Sequence, residues 1–493
     1  MPDLRDHSIE IIRRHQAPSG AYVACPTFAP YRFCWLRDGT FTAYAMDRAG
    51  HHDSARRFYL WVDSVLRREA GRVDRIADLL ACGQAPDHRD MPPTRYRIDG
   101  VPEEDKWPNF QLDGYGTWLW GLAEHVAMTG DTTLLEQARK SVDLTIRYLS
   151  LCWKMPNYDC WEEFGDRLHP ATLACLYGGL AAAGRLLACG GAAAQVVGVS
   201  EVPKTPRTAC TAHTGPAIRA VESSRRADVA EAVEAAEAIH ATQATCATRA
   251  VDVAWAAHAD HAAHAAPSAY AAHAAHAAHA ARALGAPGAS NDPNASGIAG
   301  LAESIREYIL DHGVAQGRFV KSLGNPSIDA SLLWLAMPFA VVEPSDPLML
   351  STVEEIERRL YHSGVHRYPE DTYYGGGEWP LLACWLGWYY CRAGRPASAA
   401  PIVDWVERCA NERGELPEQV SDHVNDPTYL PVWQERWGPV ATPLLWSHAM
   451  YLVLLDELAK AQVKATNASV QRVTGQTTRG RCEVRRFRPA SGG

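Results

Sequence analysis

The chain has 493 residues, of which 47% are hydrophobic and 21% are charged, and its formal net charge is -9 at pH 7. This length allows one large domain or two ordinary ones, and the composition is that of a globular protein with a sizeable core. The negative charge argues against nucleic-acid binding, because neutralising phosphates needs an excess of Lys and Arg. The first residues lack the apolar segment of a signal peptide, so we expect a cytoplasmic protein without a membrane partner.

The thirteen cysteines include no CxxC pair, which argues against a disulfide framework and a structural zinc site. No metalloprotease, EF-hand, P-loop or nucleophile-elbow motif is present in the sequence. We therefore predict no metal and no cofactor. The chain has 16 Trp but 9 Phe, an excess that fits either a sugar-binding cleft or a Trp-rich core.

In chain order, the apolar residues recur at helical spacing and alternating strands are scarce. One buried helical face carries Leu135, Ala138, Val142, Ile146 and Leu149. Further along, Ser351 and Glu354 form the pattern of a capping box, which predicts the start of another helix, and Gly364 would end it. A doubly wound sheet is therefore not expected.

Six times, a polar or aromatic loop ends in an acidic residue and runs into an apolar helix. These helices are predicted to begin near Thr40, Thr117, Ala171, Ala330, Trp379 and Leu444. The spacing leaves room for two helices per unit. Twelve helices in six hairpins would close into an all-α toroid, with the six loops lining a funnel at one end.

Two stretches depart from this pattern. Residues 190–298 are Ala-rich with His at three-residue steps, which is typical of a low-complexity insertion; a metal-binding tract is the alternative, but no acidic or Cys ligands accompany the imidazoles. Residues 464–493 are predicted to be a disordered basic tail. The catalytic domain would then comprise residues 1–189 and 299–463, provided that the insertion does not replace helices of the ring.

Two loops supply carboxyl groups suited to glycoside hydrolysis by inversion, which needs one acid to protonate the leaving oxygen and one carboxylate to activate water. Glu162 is the candidate acid, because the flanking Trp161 and Glu163 would raise its pKa by desolvation and repulsion. Glu418 is the candidate base. On its own, either glutamate would be better explained as an ordinary exposed residue.

Recognition of a sugar ring needs paired donors and acceptors beside an aromatic surface, and two loops provide that combination. The first loop has Trp35, Arg37 and Asp38. The fifth has Arg367, Asp371, Tyr373 and Trp379. Structural salt bridges would explain each Arg and Asp pair equally well.

Together these motifs resemble glycoside hydrolase family 15, the glucoamylase and glucodextranase group. The resemblance runs from about residue 24 to 459 and implies an (α/α)6 barrel. It implies that Tyr31 helps to hold the attacking water and that Arg37 and Asp38 bind the terminal glucose. It further implies that Trp107 stacks along the substrate, that Trp161 and Glu163 contribute to the binding surface, and that Glu162 and Glu418 are general acid and general base.

We therefore expect an inverting, exo-acting α-glucosidase that releases β-glucose from the non-reducing ends of α-glucans or small oligosaccharides. Trehalase activity or a preference for α-1,6 linkages would use the same site. A carbohydrate-binding barrel that has lost turnover is a different class of protein. The presence of both Glu162 and Glu418 in their motifs favours the enzyme.

Overall fold

A computed structural model describes residues 3–103, 107–188 and 293–479, with the side chains of 293–296 and 465–479 left aside. This part of the chain forms the following elements. Its α-helices are α1 (Leu4–Arg14), α2 (Leu36–Arg48), α3 (His52–Arg68), α4 (Ala70–Ala81), α5 (Asp113–Thr129), α6 (Thr132–Cys152), α7 (Pro170–Ala188), α8 (Pro293–His312), α9 (Pro347–Arg359), α10 (Pro380–Arg392), α11 (Ala400–Arg408), α12 (Tyr429–Trp437) and α13 (Leu445–Arg479). The strands β1 (Phe33–Trp35) and β2 (Arg95–Arg97) form one antiparallel ribbon, and β3 (Val314–Ala315) and β4 (Arg318–Phe319) form another.

Six elements form a closed inner ring. Each packs on the next, and the last packs on the first, in the order α2, α5, α7, the 3-10 helix Ala330–Leu335, α10 and α13. The outer elements α1, α3, α6, α8, α9 and α11 alternate with the inner ones along the chain, and each packs on an inner partner. The predicted all-α (α/α)6 barrel is confirmed.

The six predicted helix starts all coincide with inner elements. Helices α2 and α5 begin at Leu36 and Asp113, about one turn before the predicted positions. The acidic residues assigned to the loops lie in the first helical turn, where the helix dipole favours a negative charge. The fourth inner element is a six-residue 3-10 helix capped by Asp329, which accepts a hydrogen bond from the Ser331 N–H.

The predicted capping box at Ser351 is wrong. Helix α9 starts four residues earlier, at Pro347, where Asp346 accepts a hydrogen bond from the Leu348 N–H. Proline is favourable at the first helical position because its missing N–H has no intrahelical partner there. The helix also ends before Gly364, at Arg359.

Large aromatic side chains fill the inside of the ring. Trp118, Trp334, Trp385 and Trp388 are among the largest fully buried side chains. Helix α7 is long and apolar enough to cross a membrane by length and composition alone, but 72% of that window is buried inside the protein. Its place between α5 and the 3-10 helix explains its apolar sequence.

The predicted domain boundaries are shifted by the helices on either side. Helix α8 begins at Pro293, so residues 293–298 belong to an outer helix and not to the Ala-rich insertion; residues 189–292 lie outside the described part of the chain. Helix α13 continues to Arg479, past the predicted start of a disordered tail at residue 464. No proline interrupts its backbone hydrogen bonds, whereas residues 480–493 again lie outside the described residues.

Candidate active site

All thirteen site residues predicted from the sequence lie at one end of the ring. Because inner and outer elements alternate, the segments that enter the inner elements emerge at the same end. Tyr31, Trp35, Arg37 and Asp38 precede or begin α2, Trp107 precedes α5, Trp161, Glu162 and Glu163 precede α7, Arg367, Asp371, Tyr373 and Trp379 precede α10, and Glu418 lies in the segment before α13.

Glu162 lies in a tight turn of the third loop. Its backbone has a φ of +68°, which is uncommon for a residue with a side chain. The indole N–H of Trp35 donates a hydrogen bond of 2.6 Å to Glu162 Oε1. The first and third loops are thereby joined at the candidate acid.

Glu418 is the more deeply buried of the two candidate catalytic residues, with 2% exposure, whereas Glu162 is half-buried. Burial raises the pKa of Glu418 to about 8, although Tyr31, Arg367 and Tyr373 counteract part of that rise. The hydroxyls of Tyr31 and Tyr373 are 3.0 Å apart. The sequence pattern predicted desolvation at Glu162, but Glu418 is the more deeply buried of the two.

The Tyr31 ring connects the two carboxyl groups. Its hydroxyl interacts with Glu418, and its ring meets that of Trp35 edge to face with centroids 5.6 Å apart. Since Trp35 bonds to Glu162, two aromatic side chains span the gap between the acid and the base. Glu162 and Glu418 are thus linked through the side chains of Trp35 and Tyr31.

Arg37 is held by carboxylates on two elements. Its Nη1 donates to Asp113 Oδ2 at 2.7 Å and to Gln111 Oε1 at 3.2 Å, and its Nε is 3.2 Å from Asp38 Oδ2. Burial raises the pKa of Asp38 to about 6, with Glu162 adding to the rise and Arg37 opposing it. Arg37 therefore forms ion pairs with Asp38 and Asp113, and it also interacts electrostatically with the candidate acid, Glu162.

The fifth loop forms a second Arg and Asp pair. Arg367 Nε donates to Asp371 Oδ2 at 2.7 Å, Nη2 donates to the other oxygen of the same carboxylate, and Nη2 is 3.5 Å from Glu163 Oε1. The guanidinium carbon lies 5.2 to 5.5 Å from the ring centroids of Trp161, Tyr368, Tyr373 and Trp379. A charged donor group is thus enclosed by aromatic surface.

Another aromatic contact joins the first and second loops. The rings of Trp35 and Trp107 have centroids 5.9 Å apart, at 71° to each other. Arg95 stacks on Trp107 at 3.5 Å, and in the ribbon of β1 and β2 it lies opposite Trp35. Arg95 was missed because the pairing of two three-residue strands across a long loop leaves no sequence signal.

Two further charged residues behind the third loop were also missed. Lys321 Nζ donates to Asp329 Oδ2 at 2.7 Å, and Trp161 Nε1 donates to both Asp329 oxygens at 3.1 and 3.0 Å. Asp329 could have been found, since it ends the fourth polar loop. Among the described residues, no group of three or more His, Cys, Asp and Glu side chains could hold a metal ion, and the His tract lies outside them.

Two carboxyl groups linked through aromatic side chains, with paired Arg and Asp side chains beside them, are the groups that a glycoside hydrolase uses. The family comparison agrees with the geometry: the model of glycosyl hydrolases family 15 matches residues 6–456. The chain belongs to this family.

Relatives cover nearly the whole chain. An isomaltose glucohydrolase from Kribbella flavida is 35% identical over 468 residues, which are 94% of this chain and 95% of the relative. A solved glycosidase variant in complex with glucose is 34% identical, covers 92% of this chain and 96% of its own, and has a TM-score of 0.69. A bacterial glucoamylase complexed with acarbose, 18% identical with a TM-score of 0.56, covers 93% of this chain and 55% of its own, and shares the fold.

Proposed function

We propose that this glycoside hydrolase is an inverting, exo-acting α-glucosidase that removes terminal glucose from short α-linked oligosaccharides, with isomaltose as the first candidate substrate. The observation that carries the proposal is the link from Glu418 through Tyr31 and Trp35 to Glu162. The name of the Kribbella flavida relative supports the choice of isomaltose.

In this proposal Glu162 is the general acid. Its carboxyl proton passes to the glycosidic oxygen as the bond from that oxygen to C1 breaks. The Trp35 indole N–H, bonded to Oε1, stabilises the carboxylate that this transfer leaves behind. The departing sugar keeps this proton on its newly formed hydroxyl group.

Glu418 is the general base on the other face of the glucose ring. It takes one proton from a water whose oxygen forms the new bond to C1, so that the product is β-glucose. Its Oε2 is buried and makes no hydrogen bond with any described residue, and an attacking water would satisfy it. Tyr31 and Tyr373 would orient that water from the side. We expect the two carboxyl groups about 6.5–9.5 Å apart.

The filled centre of the ring supports exo action. Trp334, Trp385 and Trp446 lie under the site with ring centroids 4.8 to 6.4 Å apart, and all three are buried. We therefore expect a site closed on this side, which a chain end can enter but through which a polysaccharide cannot pass. The Arg37 and Arg367 pairs would hold the hydroxyls of that terminal glucose.

The test is to incubate the purified protein with isomaltose, maltose, maltotriose and trehalose and to follow the released anomer by proton NMR. We expect β-glucose to appear first, and isomaltose to be cleaved with the highest kcat/KM. An initial excess of α-glucose over its equilibrium share would refute inversion, and a preference for trehalose would change the substrate assignment. Binding without hydrolysis would identify a barrel that has lost turnover.

The Glu418→Gln variant tests the base directly. We expect kcat to fall by about 10² to 10⁴-fold, because the water loses its proton acceptor, while the dissociation constant for substrate stays near that of the unmodified protein. Glu412→Gln, at an exposed position, is the matched control and should be fully active. Unchanged turnover in Glu418→Gln would remove Glu418 from the mechanism.

A further inference from the structure

The loop that carries Glu162 needs support from the surrounding structure. Both Glu162, at a φ of +68°, and Phe164, at +52°, adopt the left-handed backbone, which side chains make costly. Asp159 Oδ1 spans the turn by accepting hydrogen bonds from the backbone N–H groups of Trp161, at 3.0 Å, and Glu163, at 2.9 Å. The direction of the Glu162 carboxyl therefore depends on the Asp159 carboxylate.

A buried ammonium group connects this carboxylate to a second one. Lys321 is 4% exposed, and its Nζ lies 3.9 Å from Asp159 Oδ2, an oxygen that makes no hydrogen bond with any described residue. The same Nζ donates to Asp329 Oδ2 at 2.7 Å, and Asp329 accepts from the indole N–H of Trp161. Lys321 thus pairs with both carboxylates that hold the turn.

A third contact leads from Lys321 to the same loop. Its Nζ lies 3.2 Å from the ring centroid of Tyr368, and the Tyr368 hydroxyl donates a hydrogen bond to Glu163 Oε2. The residues on both sides of Glu162 are therefore held by partners of a single lysine. Lys321 lies just after β4, on a segment distant in sequence from the loop that it supports.

We propose that Lys321 is a positioning residue that keeps the Glu162 carboxyl aimed at the glycosidic oxygen. This inference rests on the proposed role of Glu162 as general acid. Without the lysine charge, Asp159 and Asp329 cannot both stay ionised in a buried place. A protonated carboxyl accepts hydrogen bonds from N–H groups more weakly than a carboxylate does, so the turn relaxes and Glu162 moves away from its target.

The test compares two substrates that differ in their need for a proton. Cleavage of isomaltose releases a second glucose, whose 6-oxygen must be protonated as it departs, whereas α-glucosyl fluoride releases fluoride with little such help. We expect Lys321→Met to lower kcat on isomaltose by about 10- to 10²-fold, which is part of the roughly 10²- to 10⁴-fold that general acid catalysis contributes, with KM little changed. Hydrolysis of α-glucosyl fluoride should stay close to that of the unmodified protein.

Matched variants separate positioning from general damage. Lys321→Arg keeps the charge and should retain far more isomaltose activity than Lys321→Met. Lys154→Met removes another lysine that packs on aromatic rings, those of Trp153 and Tyr308, and should leave both rates unchanged. If Lys321→Met does not fold, as judged by circular dichroism, Asp329→Asn is expected to show the same dependence on the leaving group.

The outcomes distinguish this inference from the proposed function. An equal loss on both substrates in Lys321→Met would show a merely structural lysine and would overturn the inference. Full isomaltose activity in Glu162→Gln would instead refute the acid assignment, whatever Lys321 does. Loss confined to isomaltose in both Glu162→Gln and Lys321→Met would support the two together.

Discussion

At the scale of single residues, the proposed role of Glu418 as general base requires its carboxyl to be ionised before it can take a proton from water. Burial raises its pKa to about 8 from an ordinary value of 4.5, and Tyr31 is the largest of the groups that lower it. Since kcat/KM reports the ionisation of the free enzyme, activity should fall as the pH drops below that raised pKa. We therefore expect the acid limb of the profile well above pH 4.5.

The Tyr31→Phe variant should move this limb to still higher pH. Removing the hydroxyl removes an interaction that favours the ionised carboxylate, so Glu418 should ionise only at a higher pH. The measurement is the pH dependence of kcat/KM on isomaltose, read as the position of the limb and not as the absolute rate. Tyr389→Phe, whose hydroxyl donates to the carbonyl of Pro344, is the control. A limb shifted to lower pH in Tyr31→Phe would contradict the contact with Glu418.

At the scale of elements, the sequence predicted the parts of the site that repeat. Six acidic loops before six apolar helices are a local pattern, and each one marks an inner element of the ring. The same periodicity correctly placed α6, with Ala138, Val142, Ile146 and Leu149 buried. These features depend on residues close together in the chain, which is why sequence reasoning reaches them.

The contacts between loops could not be predicted in the same way. Lys321 contacts a turn about 160 residues earlier in the chain. Arg95 lies on a strand that pairs with the strand of Trp35, and from there it stacks on Trp107. Burial also depends on the whole ring: the sequence predicted desolvation at Glu162, but Glu418 is the more deeply buried of the two. Contacts of this kind form only in the folded structure, and no regular spacing of residues in the sequence marks them.

The crossing of α5 and α7 gives a prediction at the element scale. A Cβ added at Gly179 would lie 2.1 Å from the backbone oxygen of Gly116, and one at Gly116 would lie 2.4 Å from the oxygen of Cys175. Two inner helices therefore meet backbone to backbone. We expect Gly179→Ala to reduce the free energy of unfolding by about 1–3 kcal/mol, since a packed core resists added volume.

The control for this substitution is Gly300→Ala on the exposed face of α8, where an added Cβ meets nothing within 4 Å. It should stabilise the protein slightly, because alanine favours a helix over glycine by up to about 1 kcal/mol. Thermal unfolding of both variants, followed by circular dichroism, gives the comparison. Equal unfolding temperatures for Gly179→Ala and the unmodified protein would show that the two helices can move apart freely.

At the scale of the whole molecule, the ring is complete without residues 189–292. Helix α7 ends at Ala188 and α8 begins at Pro293, and the two pack on each other as the third inner and outer elements. The remaining elements lie on either side of this pair in sequence, and α13 closes the ring against α2. The described elements therefore form the ring on their own, and none of its inner helices has to come from the Ala-rich segment.

Replacing residues 189–292 by a short Gly/Ser linker should therefore leave both folding and hydrolysis nearly unchanged. The linker would join two helices that already pack together, and such helices are commonly connected by about 2–8 residues. We expect the unfolding temperature and the kcat/KM on isomaltose to stay close to those of the full chain. As a control, the same linker in place of Pro347–Arg359 removes the outer helix α9 and should abolish cooperative unfolding, because Met349, Val353 and Ile356 lose their place in the core. Loss of the fold in the first variant would mean that the replaced segment contributes to the barrel.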